Sequence, residues 1–432
     1  MNFTYKEAVD YIEETPKFTT KNKLEHTKEC LRRLGNPQEQ FGVIHVAGTN
    51  GKGSVCAFLT SMLREAGYCC GLFTSPHLVN INERFQINEE PIDDNTFLGA
   101  FMKVKQLSDE LVAEGSYHPT YFEFLFLMGM VIFADAGVEF VTLETGLGGR
   151  MDATNSVENP LLCVLTSISL DHMQYLGDTV TQIAGEKAGI LKPGVPVVYD
   201  GNSKEAAAVI AARARELGCP AYEVREEDCH LRKSSPEGLD FSVENAYYGN
   251  TVFSIPFIGR YQMMNGAVAL KAMEILAGKL AFSKDAVYLG MKRTRWQGRM
   301  ETVLQRVVVD GAHNEDGVVR FVETACHFQE KYAITLLFSA VDDKDYPDMI
   351  REICENIRLA HVVTTSVGGY RAVGAAKLGD IFRSYGCTDV ESYEEIPEAF
   401  EAAESKKGDG LLFCVGSLYL VGEIKDYIKR RA

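Results

Sequence analysis

A glycine-rich segment lies between a predicted strand and a predicted helix, and its residue types suit phosphate binding. It consists of Gly48, Thr49, Asn50, Gly51, Lys52, Gly53 and Ser54. Glycines let the backbone turn so that successive N–H groups face one anion, and the helix N-terminus adds its dipole. Lys52 could reach the β- and γ-phosphates, and Ser54 could ligate Mg²⁺. The spacing is tighter than in the P-loop pattern G-x-x-x-x-G-K-[ST], but the flanking strand and helix favour a phosphate loop over a chance glycine turn.

Three polar side chains lie at the ends of other predicted strands. Ser75 follows YCCGLFT, Glu144 is near the end of VEFVTLET, and His172 follows LLCVLTSI. In an open parallel sheet, ligands bind beyond the carboxyl ends of the strands. We therefore expect these side chains to converge on the edge that carries the glycine-rich loop. A hydroxyl, a carboxylate and an imidazole there could complete a Mg²⁺ shell beside Ser54.

Strands alternate with helices along most of the chain, which predicts parallel sheets joined by right-handed crossovers. The alternation stops at residues 221–258, where the pattern predicts a β-meander. It restarts after the segment KRTRWQGRM, near residues 292–299. A chain of 432 residues is also too long for one ordinary domain. We expect two α/β domains in series, with the cleft between them as the site of reaction.

Several further residues could serve a nucleotide enzyme. Arg299 lies in the predicted hinge, where it could grip the γ-phosphate when the domains close. Asp310 and His313 follow the strand-like segment VLQRVVV of the second predicted domain. Lys187, in EKAGILKPG, taken alone is typical of a solvated lysine at a helix end.

Composition narrows the class of protein. The formal net charge is −16, with 60 acidic and 44 basic residues, which argues against a broad nucleic-acid or anionic-membrane surface. The 11 cysteines are scattered in apolar runs, as expected for buried free thiols in a reducing compartment. No signal peptide is visible. The apolar stretch Phe122–Ala134 is too short to span a bilayer and predicts a buried helix. These features predict a cytoplasmic protein.

Several longer stretches together resemble the folylpolyglutamate synthase/dihydrofolate synthase family, a branch of the Mur ligases. They lie in family order between residues 31 and 424. The matching stretches are LRRLGNPQEQFGVIHVAGTNGKGS, TSPHLVNINERFQIN, LETGLGGRMDATN, SISLDHMQYLGDT, IAGEKAGILKPG, WQGRME, DGAHN and VGSLYLVGEI. The loop form G-T-N-G-K-G-S departs from the strict P-loop pattern as this family does. Gln297, before the hinge glycine, and Glu315, after DGAHN, stand where the family commonly has proline.

The resemblance implies a fold and a role for each matching residue. The fold would be an α/β P-loop, parallel-sheet ATPase domain of the Mur ligase central type with a β-meander (1–295), then a smaller Rossmann-like α/β ligase domain (296–432). The nucleotide contacts would be Gly48, Thr49, Asn50, Gly51, Lys52, Gly53, Ser54, Asn265, Arg299, Asp310 and His313. The metal ligands would be Ser54, Ser75, Glu144, His172 and carbamylated Lys187. Asp152 would contact the pteroyl group, and Arg84 is a second candidate substrate contact.

The implied reaction is ATP-dependent amide-bond formation with Mg²⁺, for which two ions are expected. A folate or dihydropteroate carboxylate would attack the γ-phosphoryl group of ATP, and the amine of L-glutamate would then attack the acyl phosphate. Lys52, Lys187, His172 and Arg299 would be the catalytic residues, since phosphoryl transfer needs mainly positioning and charge neutralisation. The family implies a monomer with small-molecule substrates. The alternatives are a Mur-type ligase for another carboxylate, a P-loop nucleotide switch and a kinase.

Overall fold

The computed structural model describes residues 3–16, 23–342, 345–368 and 372–431. They form two compact units. The first comprises the described residues of Met1–His230, Ser242–Phe253 and Met264–Thr294. The second comprises those of Leu231–Phe241, Ser254–Met263 and Arg295–Ala432.

The first unit is built on an eight-stranded sheet. Its strands are β1 (Gly42–Ala47), β2 (Cys70–Phe73), β3 (Phe85–Ile87), β4 (Glu90–Pro91), β5 (Phe140–Glu144), β6 (Leu162–Leu165), β7 (Val197–Asp200) and β8 (Ala221–Val224). Their order is β4-β3-β2-β5-β1-β6-β7-β8. Strands β2, β5, β1, β6, β7 and β8, which are adjacent in this order, pair in parallel. The β3–β4 hairpin adds two antiparallel strands at the edge next to β2. Strand β1 is therefore in the interior of the sheet, between β5 and β6.

Helices cover the sheet and follow the predicted alternation. Those that begin before Arg295 are α1 (Tyr5–Glu14), α2 (Leu24–Arg33), α3 (Lys52–Glu65), α4 (Asp94–Ala113), α5 (Tyr121–Asp135), α6 (Met173–Leu176), α7 (Val180–Lys187), α8 (Lys204–Glu216), α9 (Tyr261–Leu276) and α10 (Lys284–Arg293). The glycine-rich loop joins β1 to α3, as predicted. Helix α5 is buried around most of its circumference, which confirms the buried helix at Phe122–Ala134. No helix within the described ranges is long and apolar enough to cross a membrane.

A three-stranded sheet accounts for most of the predicted β-meander. Its strands are β9 (Cys229–Ser235), β10 (Gly238–Val243) and β11 (Val252–Ile255), and they lie side by side in chain order. One part of the prediction is wrong, because β8 pairs in parallel with β7 and extends the large sheet instead. The strand is four residues long, and its alternating pattern alone does not show which sheet it joins.

The second unit contains a six-stranded sheet. Its strands are β12 (Glu301–Leu304), β13 (Val307–Val309), β14 (Ile334–Phe338), β15 (Leu359–Thr365), β16 (Val390–Tyr393) and β17 (Leu411–Val415), in the order β12-β13-β17-β14-β15-β16. All pair in parallel except β12, which forms an antiparallel hairpin with β13. The helices are α11 (Glu315–Phe328), α12 (Tyr346–Asn356), α13 (Ala375–Ser384), α14 (Ile396–Lys407) and α15 (Leu418–Arg431). The predicted α/β class of this part of the chain is confirmed.

Two short elements lie in the connections that follow β2 and β6, and the sequence pattern does not predict them. The hairpin β3–β4 falls at the end of the segment after β2, and α6 falls between β6 and α7. Both are too short to produce a readable period. The hairpin turn places Asn88 and Glu89 at φ values of 53° and 71°, a left-handed conformation that Asn tolerates better than most residues.

A glycine in α10 allows this helix to pack closely against α3. A Cβ atom on Gly290 would lie 2.4 Å from the Cα of Met62 in α3, so the backbones would have to separate. A Cβ atom on Gly99, inside α4, would meet no atom within 4 Å. We therefore expect the same substitution to change the stability of the protein in opposite directions at these two positions.

We expect Gly290→Ala to lower the free energy of unfolding by about 1–3 kcal/mol, because overpacking displaces α10. The control Gly99→Ala should raise it by about 0.5–1 kcal/mol, since alanine loses less backbone entropy in a helix. Urea unfolding followed by circular dichroism measures both. Equal effects of the two substitutions would contradict the packing described here.

Candidate functional site

The loop after β1 has the conformation of an anion cradle. Gly48 and Gly51 have φ values of 155° and 87°, which side chains rarely allow. A Cβ atom would lie 1.8 Å from the hydroxyl oxygen of Thr166 at Gly48, and 2.3 Å from the side-chain oxygen of Asn265 at Gly51. The N-cap of α3 is Gly51, which provides no side-chain cap, and the first turn contains no acidic residue. The N–H groups and the positive end of the dipole of α3 therefore suit an anionic ligand.

Two lysines donate to carbonyl groups of this loop. The Nζ of Lys52 donates to the Thr49 carbonyl at 2.9 Å, and the Nζ of Lys187 donates to the Gly48 carbonyl at 2.6 Å. Lys187 is only 4% exposed, so its interpretation as a solvated surface lysine is wrong. Position near a helix end did not reveal that α7 packs this side chain under the loop.

Burial changes the ionisation of Lys187. Desolvation, reinforced by the charge of Lys52, lowers the pKa of Lys187 from 10.5 to about 7, while the carboxylates of Asp171 and Asp152 oppose the shift. Desolvation acts this way because a buried ammonium group loses its hydration. Near neutral pH the neutral amine is therefore well populated, and only the neutral amine is a nucleophile.

Glu144 ends β5, the strand next to β1, and its carboxylate is buried. Its Oε2 atom accepts hydrogen bonds from the Thr74 hydroxyl and from the Ser75 N–H group, the latter at 3.1 Å. Ser54, in the first turn of α3, is also buried. The predicted adjacency of Ser75 and Glu144 is thus observed, and Thr74 is a supporting residue that the sequence reasoning missed.

His172 lies at the N-cap of α6, in a left-handed conformation with φ of 49°. Its side chain is 42% exposed, and its Nε2 atom is 3.9 Å from an Asp171 carboxylate oxygen. Among the described residues, no three His, Cys, Asp or Glu side chains are grouped as a metal site. The predicted ligand set contains only two residues of these types, Glu144 and His172. A divalent ion bound there would need oxygen atoms from phosphate, water or hydroxyl groups as well.

Asp152 organises the loop that follows β5. Its carboxylate is 1% exposed and accepts hydrogen bonds from the N–H groups of Gly146, Leu147 and Thr154 at 3.0, 2.9 and 3.0 Å. The Thr154 hydroxyl donates a fourth bond at 2.6 Å. The carboxylate therefore shapes this loop, while its predicted contact with a pteroyl group stays a prediction.

Arg84 is a buried arginine, 5% exposed, near the β3–β4 hairpin. Its Nε atom donates to His77 Nδ1 at 2.9 Å and its Nη2 atom donates to the Tyr121 hydroxyl at 3.4 Å. Neither partner is a carboxylate, although a buried guanidinium is usually paired with one. The Tyr121 hydroxyl donates in turn to Glu13 at 3.2 Å.

In the second unit, Asp310 follows β13 and is the centre of a hydrogen-bond network. It accepts bonds from the Tyr261 hydroxyl at 3.1 Å, from Met300 N–H at 2.7 Å and from Ala312 N–H at 2.8 Å. Burial raises the pKa of Asp310 and raises that of Tyr261 well above its usual value. Tyr261 is a residue that the sequence reasoning missed, because a lone tyrosine at a helix start carries no signal.

Arg299 and His313 lie beside the same network. A Cβ atom on Gly311 would be 2.9 Å from Arg299 Nη1, and His313 Nδ1 is 2.6 Å from the Gly311 carbonyl oxygen. The structure therefore brings Arg299, Asp310 and His313 together within the second unit. Asn265, by contrast, belongs to the first unit and lies next to Gly51.

Comparison with known proteins identifies the class. The Mur ligase middle domain matches residues 46–273, and the Mur ligase glutamate ligase domain matches residues 298–418. The dihydrofolate synthase/folylpolyglutamate synthase of Bacillus subtilis is 36% identical over 98% of this chain and 99% of its own. The chain belongs to the folylpolyglutamate synthase/dihydrofolate synthase family of Mur ligases.

Solved structures agree with this placement. The folylpolyglutamate synthase of Thermotoga maritima aligns with a TM-score of 0.85 and 30% identity, over 99% of this chain and 97% of that one. The structure of E. coli FolC in complex with DHPP and ADP aligns with a TM-score of 0.85 and 26% identity, over 99% and 98% of the two chains. The predicted fold class and family are therefore confirmed.

The lowered pKa of Lys187 has a consequence for stability. Below pH 7 the amine is protonated in both states, but between pH 7 and 10.5 the unfolded chain keeps a proton that the folded protein has released. Stability rises with pH where the unfolded state binds more protons. In metal-free, CO₂-free buffer, the unfolding free energy of the wild type minus that of Lys187→Met should rise by about 1–3 kcal/mol from pH 7 to pH 9.

Urea titrations at pH 6, 7, 8 and 9 measure this difference. The difference between the wild type and Lys187→Met at pH 6 is the internal reference, because the Lys187 amine is charged at this pH in both the folded and the unfolded state. A difference that stays constant from pH 6 to pH 9 would show that Lys187 keeps its charge in the folded protein.

Proposed function

We propose that this chain adds L-glutamate to the carboxylate of a folate, or of dihydropteroate, at the expense of ATP. The observation that carries the proposal is the uncapped, glycine-formed start of α3 with Lys52 and Lys187 both bound to its loop. Family membership supports a ligase rather than a nucleotide switch or a kinase.

Two structural features support a triphosphate site at this loop. The two glycines leave no room for side chains, and α3 starts with neither a cap nor an acidic residue. We propose that residues Gly48 to Ser54 bind the phosphates, with further nucleotide contacts from Asn265, Arg299, Asp310 and His313. Asp310 already accepts three hydrogen bonds. Its main effect would therefore be to fix the conformation of the turn that contains Arg299.

The oxygen atoms near Glu144 support a Mg²⁺ site, because Mg²⁺ prefers oxygen ligands. The ligands would be Ser54, Ser75 and Glu144, with His172 and carbamylated Lys187 for a second ion. Bound Mg²⁺ would neutralise charge on the transferring phosphoryl group. The Thr74 hydroxyl and the Ser75 N–H group hold the Glu144 carboxylate in place, so this ligand is positioned before the ion binds.

The chemistry requires two anions to meet. The substrate carboxylate attacks the γ-phosphorus of ATP, and ADP leaves with the electrons of the broken P–O bond. The glutamate amine, in its neutral form, then attacks the acyl carbon, phosphate leaves with the electrons of the broken C–O bond, and the nitrogen releases a proton to give the amide. Lys52 and Arg299 would reduce repulsion between the carboxylate and the triphosphate. The acyl phosphate must be shielded from water during its lifetime.

Lys187 is suited to carbamylation. A neutral lysine amine adds to CO₂ to form a carbamate and release a proton, so an amine with a pKa of about 7 is reactive at neutral pH. Asp171 and Asp152, whose charges act on Lys187, disfavour a second anion, whereas the neighbouring charge of Lys52 favours it. We expect a bound metal ion to stabilise the carbamate further.

Arg84 and Asp152 would shape the pterin side of the site. The buried guanidinium of Arg84 binds only uncharged or imidazole partners through Nε and Nη2, so an anionic or carbonyl-bearing substrate group would be a favourable neighbour. Asp152 would act through the loop that it braces.

The absence of a disulfide among the 11 described cysteines is consistent with a cytoplasmic location, which we propose together with a monomeric state.

Mass spectrometry of the products tests the function. MgATP, L-glutamate and either tetrahydrofolate or dihydropteroate should yield the glutamyl amide, ADP and phosphate in equal amounts.

Lys52→Ala should reduce kcat by at least a hundredfold while leaving the circular dichroism spectrum unchanged, because the triphosphate loses its main cationic contact. Lys6→Ala, at an exposed position of α1, is the matched control. A stable phosphorylated product, or ADP without amide, would point to a kinase or a switch instead.

Lys187→Ala tests the carbamate. We expect at least a hundredfold loss of kcat and partial recovery with added formate or acetate, because a small carboxylate can occupy the place of the carbamate group. The ¹³C NMR spectrum of the wild type under ¹³CO₂ should show a carbamate signal that is absent from Lys187→Ala. Full activity of the variant without any added acid would rule out this role.

A further inference from the structure

The phosphate loop is held from the side of β6 by backbone pairing. Strand β1 pairs with β6 in parallel up to Ala47 and Leu165, and the pattern continues past both strand ends. Thr166 N–H donates to the Ala47 carbonyl at 2.9 Å, and Thr49 N–H donates to the Ser167 carbonyl at 2.8 Å. The first residues of the loop are therefore fixed as an extension of the sheet.

Two hydroxyl groups then bind the carbonyl of Asn50. The Thr166 hydroxyl donates to it at 2.7 Å and the Ser167 hydroxyl at 3.2 Å. The C=O and N–H groups of a trans peptide point in opposite directions. A carbonyl of Asn50 held toward β6 thus turns the N–H group of Gly51 away from β6, at the start of α3.

The Thr166 hydroxyl reaches this carbonyl because position 48 is glycine. Thr166 is 1% exposed, and a Cβ atom on Gly48 would lie 1.8 Å from its hydroxyl oxygen. A second tie joins the same segments, since Thr49 Oγ1 donates to the Ser169 carbonyl and accepts from the Ser169 N–H group, both at 3.1 Å. The run of hydroxyl residues after β6 is therefore shaped to the phosphate loop.

We infer that Thr166 is a positioning residue for ATP: its hydroxyl orients the Asn50–Gly51 peptide so that the loop is preorganised to bind phosphate. Thr166 itself would not touch the nucleotide. The inference rests on the proposed phosphate site. It also couples that site to the segment that ends in Asp171 and His172, because Thr166 and Ser169 belong to the same connection.

Thr166→Val is nearly isosteric and removes the donor, whereas Thr166→Ser keeps it. Loss of one hydrogen bond from a preorganised loop should weaken ADP binding, measured by calorimetry, about three- to tenfold, and raise the KM for ATP by a similar factor. The KM values for glutamate and for the pterin substrate should change less than twofold. Thr166→Ser should restore ADP affinity to within twofold of the wild type.

Thr324→Val is the matched control, since this equally buried hydroxyl donates to the Arg320 carbonyl at 3.0 Å within α11. It removes the same chemical group and should leave the KM for ATP unchanged. If Thr166→Val does not fold, Ser167→Ala, at a partly exposed position, removes the other donor to Asn50 and should raise the KM for ATP two- to threefold.

The results distinguish a wrong role for Thr166 from a wrong position of the phosphate site. Wild-type ADP affinity in both Thr166→Val and Ser167→Ala, with a clear loss in Lys52→Ala, would overturn the role of Thr166 and leave the phosphate site standing. Wild-type ADP affinity in Lys52→Ala as well would show that the nucleotide binds elsewhere. Equal increases in all three KM values, not restored by Thr166→Ser, would indicate a general effect on folding and would overturn the inference.

Discussion

The start of α3, which has no side-chain cap, is the constraint on which the candidate site depends. A helix end without a cap is unfavourable unless a ligand or water satisfies it, and here the sequence provides glycine at the cap and no acidic residue in the first turn. Carbonyl oxygens of the loop are bound by Lys52, Lys187, Thr166 and Ser167. The carbonyl oxygens of Gly48, Thr49 and Asn50 are thus satisfied within the protein.

Burial of Lys187 belongs to the same design. Placing an amine under the loop costs solvation, and the protein responds by lowering the pKa of that amine to about 7. A solvated lysine would be almost fully protonated at neutral pH and unreactive toward CO₂. The packing of α7 beneath the loop therefore leaves a substantial fraction of this amine neutral near pH 7. The same packing depends on the loop braced by Asp152, because Arg150 N–H donates to the Glu186 carbonyl of α7 at 2.8 Å.

The second unit uses a different device, a buried carboxylate that collects donors from separate segments. Asp310 joins the start of α9, through Tyr261, to the turn that carries Arg299. Gly298 and Met300 on either side of Arg299 have φ values of 66° and 48°, so this turn is left-handed twice within three residues. Met300 is a bulky residue in a region where such residues are rare, and the hydrogen bond from its N–H group to Asp310 helps to hold it there.

The sequence by itself determined the order of the longer strands and helices, the place of the glycine-rich loop and the family, because these depend on local periodicity and on motifs of contiguous residues. It also predicted that Ser75 and Glu144 are neighbours, since parallel strands end at one edge. Only the tertiary structure decided which sheet β8 joins, that Lys187 is buried, and that Thr74, Thr166, Ser167 and Tyr261 support the site. These properties depend on pairing and packing between residues far apart in the chain. Gly48 of the glycine-rich loop and Lys187 are 139 residues apart in the chain, and no local sequence pattern predicts their contact.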